Sequence, residues 1–168
     1  EFGLSSRDPL PIVREITDHA ATESRAETSG WMPPKLVART GHVPIWEGER
    51  RVPPSLREAI LSFLLSTAVR SVREPLPQLN SMLVHVVRFT LVQAIVKEEI
   101  ERELNSIQNR LLHGDGKRKP TILDELKALW TSDFVPTSAQ CGTALPSWAD
   151  LENVLPKVAS AIQVRIIN

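Results

Sequence analysis

The chain has 168 residues, 42% hydrophobic and 24% charged, with 20 Lys plus Arg balanced by 20 Asp plus Glu. That length fits one domain or a piece of a larger one. The neutral balance leaves any nucleic-acid surface to local clustering. The single cysteine, Cys141, excludes an internal disulfide framework and a multi-cysteine zinc site.

Residues 1–53 are rich in Pro, Gly and charge and poor in periodic pattern, and are expected to form an extended connecting segment. Pro11-Ile12-Val13-Arg14-Glu15-Ile16 reads as a short strand, and Trp31 and Trp46 as anchors that pack onto a core. A helix is expected over about 55–72, behind Pro53-Pro54, with Ser55-x-x-Glu58 as its capping box and Leu56, Ala59, Ile60, Phe63 and Leu64 at helical spacing. Pro75 and Pro77 stop it, and Arg70 and Arg73 suit its C-terminal dipole.

The apolar run at 81–87 then reads as a strand covered on both faces. Thr90-x-x-Gln93 opens a second helix, with Ile95, Ile100, Leu104, Ile107 and Leu111 on its apolar side. Glu98, Glu99, Glu101, Arg102 and Glu103 read as its wet face, and it ends near His113-Gly114. A loop carries Lys117-Arg118-Lys119. Thr121-x-x-Asp124 opens a third helix to about Phe134, and Ser147-x-x-Asp150 a fourth, which Pro156 kinks or interrupts.

Residues 163–167 read as a closing strand. Separated strands with helices between them suggest parallel pairing with 81–87. Two strands make a poor sheet alone, so the chain reads as a fragment of a longer protein. No apolar run reaches the roughly 18 residues of a membrane span. No secretion signal is visible, and the cytoplasm is the expected location.

Asn80-Ser81-Met82-Leu83-Val84-His85-Val86-Val87-Arg88-Phe89, preceded by Pro53-Pro54-Ser55-Leu56, Glu58-Ala59 and Phe63, resembles the Z-one domain family of bacterial putative endonucleases and restriction-system subunits. The resemblance is strongest over 50–90 and looser over 91–168. Where the family has a histidine before Ser-Met-Leu this chain has Leu79 or Asn80, and Val87 stands in place of a serine.

The resemblance implies an α/β, helix-rich fold over 54–168. It would be the first part of a second RecA-like (P-loop NTPase) lobe, a partial parallel sheet with a helical insertion at about 90–161. It also implies a non-catalytic piece of an ATP-dependent, helicase-like DNA translocase that serves a nuclease. The implied partners are an upstream DEAD-like lobe of the same protein, double-stranded DNA and a nuclease subunit or domain, with no membrane. ATP and Mg belong to the intact motor. No cofactor is expected on this chain alone, because Gly114-Asp115-Gly116-Lys117 is too short for a phosphate-cradling loop and lies between helices. The alternative is a freestanding helical protein–protein interaction module.

His85 and Arg88 would sit at a strand exit, where α/β sheets form ligand crevices. The resemblance makes them candidates for ATP coupling or a lobe interface; otherwise His85 is a core histidine and Arg88 a helix-flanking ion pair. Lys117, Arg118 and Lys119 are candidates for DNA-backbone contact by counterion release, or else a solvated loop tip. Asp18-His19 and His42 lack a visible third metal ligand, so no metal site is expected. Nor is a catalytic residue: Cys141 has no placeable histidine.

Overall fold

The computed structural model describes residues 16–18, 31, 43–74, 79–85 and 90–167. Among them are five α-helices: α1 (Pro54–Arg73), α2 (Thr90–His113), α3 (Ile122–Leu129), α4 (Val135–Gln140) and α5 (Trp148–Ala161). A five-residue π-helical stretch, Trp130–Phe134, joins α3 to α4.

On α1, Leu61, Leu64, Leu65, Ala68 and Val69 recur at i, i+3, i+4, i+7 and i+8 and are buried. Leu151, Leu155, Val158 and Ala159 do the same on α5. The two stripes face each other: α5 packs chiefly on α1 and also on α2, and α3 contacts both α1 and α2. Leu64, Leu65, Leu151 and Leu155 are wholly buried. Each stabilises the fold by about 1.5–3 kcal/mol as an upper bound. Trp31 (3% exposed) and Val52 add to this core from upstream. The Trp31 indole N–H donates to the Arg51 carbonyl at 2.9 Å. Trp46 is partly buried against the same core, and its backbone closes a tight turn with Glu49 through Gly48 at φ +80°.

Local signals set most helix ends. Thr121 and Ser147 each cap their helix, and Asp124 and Asp150 return the bond to the cap residue's N–H, as the capping boxes predict. Gly114 ends α2 at φ +84°, and its N–H reaches back to the Arg110 carbonyl at 3.0 Å. The third helix is not one α-helix to Phe134. Pro136 has no N–H for the Ser132 carbonyl, and the Val135 N–H bonds Trp130 five residues back. Pro156 lies inside α5, which stays helical across it.

The capping box at Ser55 is not formed. Pro53 is the N-cap residue and makes no side-chain cap bond. The cap comes from far upstream: Asp18 accepts from the Ser55 N–H at 2.8 Å and the Ser55 hydroxyl at 2.6 Å.

The parallel sheet of a RecA-like lobe is overturned. The described residues contain no named strand, only an isolated bridge between Trp46 and Glu49. Residues 79–85 and 162–167 are irregular. A strand gains its stability from a ladder with a neighbour, and no such ladder forms among the described residues. Val84 and Val164 pack partly against the helical core, while Leu83 and Ile167 stand 78% and 81% exposed. Val84, Ile162 and Val164 therefore lay these segments along the helices rather than build a covered sheet. Asn80 fixes the first segment, donating to the Thr67 hydroxyl on α1 at 2.7 Å. The strand expected at 11–16 lies outside the described residues except for Ile16, which is not in a strand.

Candidate functional site

The loop from Gly114 to Thr121 joins α2 to α3 and carries Lys117, Arg118 and Lys119, all exposed. Its framework is internal and charged. Arg110, on the last turn of α2, is 8% exposed. Its guanidinium ion-pairs with Asp115, donates to Glu125 on α3 at 2.9 Å, and donates to the Pro120 carbonyl at 3.0 Å. Asp115 accepts in turn from the Ile122 N–H at 3.0 Å, and the Arg118 N–H donates to the Asp115 carbonyl at 3.0 Å. Gly114 and Gly116 (φ +58°) supply the left-handed backbone that the turn requires.

Burial by itself would raise the Asp115 carboxyl. The Ile122 N–H and the Arg110 and Arg118 guanidinium charges outweigh it and hold the group below the usual carboxylate range. The Thr121 hydroxyl and N–H likewise lower Asp124, helped by Lys119 and Lys127. Glu125 extends the network to α1 through Arg57, which also donates to Glu103 on α2 at 2.8 Å. Asp115 and Glu125 are thus paired within the fold by Arg110 and Arg57, Asp124 is bonded to Thr121 near Lys119 and Lys127, and the three loop cations stay exposed.

A second charged cluster ties the upstream segment to α2. Glu99 is 1% exposed, accepts from Arg50 at 2.7 Å and pairs with Arg102. Glu98 holds the same Arg50 at 3.2 Å. Glu99 therefore does not belong to the wet face of α2. It lies three residues after Val96, on the stripe that continues to Ile107, and Arg110 lies three residues after Ile107. That phase is the sequence signal for both buried charges, and it outranks the run of acids around Glu99.

His85 is exposed, so it is neither a core histidine nor a residue of a covered strand. Arg88, His19 and His42 lie outside the described residues, and no described contact brings His85 to the basic loop. Cys141 is an exposed free thiol. Among the described residues no group of three or more His, Cys, Asp or Glu is arranged to hold a metal ion. A shallow depression of about 450 Å³ along α3 and the π-helical stretch is lined by Asp124, Lys127, Ala128, Thr131 and Ser132, with no nucleophile–base pair. No described helix is long and apolar enough to cross a membrane. The basic loop is the one described feature with both a built framework and outward chemistry.

A family model described as the Z1 domain matches residues 55–168. No curated protein and no solved structure matches the chain.

Proposed function

The chain belongs to the Z1 domain family, and from that premise we propose that it is a non-catalytic helical module of an ATP-dependent, helicase-like DNA translocase in a restriction or defence endonuclease complex. The family match over 55–168 carries this reading. The exposed cations at Lys117, Arg118 and Lys119 support a role against duplex DNA, because phosphate contact needs local positive charge and the chain as a whole has none to spare. ATP and Mg are bound elsewhere in the intact motor, by a DEAD-like lobe upstream, and a nuclease subunit or domain completes the assembly. His85, exposed and outside any strand, and Arg88 remain candidates for coupling to that lobe.

The deciding experiment uses the intact protein. ATP turnover is measured with and without duplex DNA, beside DNA binding. Turnover stimulated by DNA supports the proposal. An intact protein that neither binds duplex DNA nor hydrolyses ATP overturns it. The second reading, a helical protein-interaction module, is favoured by one observation: Leu79, Leu83 and Ile167 stand 100%, 78% and 81% exposed, more than a solvated surface requires.

A further inference from the structure

We infer that Arg110 and Asp115 are positioning residues that hold Lys117, Arg118 and Lys119 in one loop conformation for the phosphate backbone of duplex DNA. The inference rests on the DNA-binding reading above and deepens it.

Three exposed cations on a floppy loop would meet phosphates only after losing backbone and side-chain freedom, which subtracts from affinity. Here the freedom of the backbone is already spent. The base of the loop is pinned at both ends by one buried guanidinium, through Asp115 at its start and the Pro120 carbonyl at its end. Asp115 bridges the same two ends, since its carboxylate also holds the Ile122 N–H. The Arg118 N–H is tied to the Asp115 carbonyl, so the middle cation of the three is fixed at its backbone. Of the loop's charges three are cations, and its one acid, Asp115, is paired inward with Arg110 and the Ile122 N–H; beyond the loop, Asp124 is bonded to Thr121 and lies near Lys119. The loop therefore presents net positive charge from a set frame, which fits a regular polyanion.

The test is fluorescence anisotropy of the full 168-residue chain with a short random-sequence DNA duplex over a salt series. Asp115→Asn keeps the side chain's size but removes a negative charge. Without a positioning role that change tightens DNA binding, as does the control Glu152→Gln on the exposed face of α5. The inference gives the opposite sign: Asp115→Asn weakens binding by roughly three- to tenfold, the ordering cost of about one side chain, while Glu152→Gln tightens it. Gly116→Ala strains the φ +58° position without altering any charge or meeting any atom, and it too weakens binding. If Asp115→Asn does not fold, as judged by thermal melting, Gly116→Ala decides.

Asp115→Asn or Gly116→Ala binding as tightly as wild type, or tighter, overturns the positioning role. Changing Lys117, Arg118 and Lys119 together to Ala separates the two levels: a salt slope shallower by about 2–3 keeps the loop as the DNA contact whatever Asp115 does. An unchanged slope removes both the contact and its positioning.

Discussion

The Asp18 carboxylate caps α1 by holding both the N–H and the hydroxyl of Ser55, across 37 residues of sequence, at 2.8 and 2.6 Å. A helix that starts with Pro54 needs no partner at that position, but the Ser55 N–H does. An acidic group there also suits the positive end of the helix dipole.

Asp18→Ala is therefore expected to cost about 0.5–2 kcal/mol, the usual cost of losing a helix cap. Urea unfolding of the full chain measures it. Ser55→Ala keeps its N–H and should cost less. Equal losses would mean that the hydroxyl contact, not the cap, carries the effect.

The ionised Asp115 carboxyl is held below its ordinary value of 3.8 in the fold, where Arg110 and Arg118 face it and Glu125 shares Arg110. Because the folded value lies below the unfolded one, the contribution is complete above the unfolded value and is lost as pH falls through the folded one. Wild type should melt higher than Asp115→Asn near pH 7, and that margin should shrink as the pH falls below the ordinary value of 3.8. A margin that stays constant as the pH is taken well below that value would remove the charge pairing as its cause.

Glu99 is wholly buried, while Arg50 and Arg102 reach it from half-exposed positions. Removing the acid lets both arginines return to water, but it leaves a hole on the core side of α2. Glu99→Ala is expected to cost about 2–4 kcal/mol, and Glu99→Met less, because a packed apolar side chain often replaces a buried ion pair at little loss. Denaturant midpoints of the two variants give the order. Glu99→Met as costly as Glu99→Ala would show that the pairs with Arg50 and Arg102 contribute more than the packing.

Leu83 offers a check on the absence of a sheet among the described residues. As an exposed residue of a connecting segment, its change to Ser should alter stability by no more than about 0.5 kcal/mol. Leu155→Ala, in the contact of α5 with α1, should cost about 2–5 kcal/mol by comparison. A comparable loss at Leu83 would mean that its side chain is covered in solution.

Apart from α4, the helices among the described residues were legible because their signals are local. Thr121 with Asp124 and Ser147 with Asp150 act over three residues, Gly114 over four, and the apolar stripes of α1 and α5 over each successive turn. Their bonds close within one turn, so residue type and spacing are enough. The family was legible too, from the run around Ser81-Met82-Leu83 and the Pro53-Pro54 entry into α1.

The sheet was not decidable that way. An apolar, β-branched run such as 81–87 or 163–167 fits a covered strand and a segment laid along a helix equally well, and only the presence of a neighbouring ladder separates them. The same limit applies to the charges. Glu98 and Glu99 adjoin in sequence, yet α2 turns the first to solvent and the second to the core. Arg110 finds Asp115 five residues on, but its other acidic partner, Glu125, arrives only when α3 folds back beside α2. Sequence alone determined where α1, α2, α3 and α5 lie, because hydrogen bonds within a turn depend on near neighbours, but not the π-helical stretch or α4, which carry the chain on past the expected end of the third helix. Tertiary packing decided which charges are buried, what caps α1 and how the basic loop is held, because those partners lie many residues apart and meet only once the helices have docked.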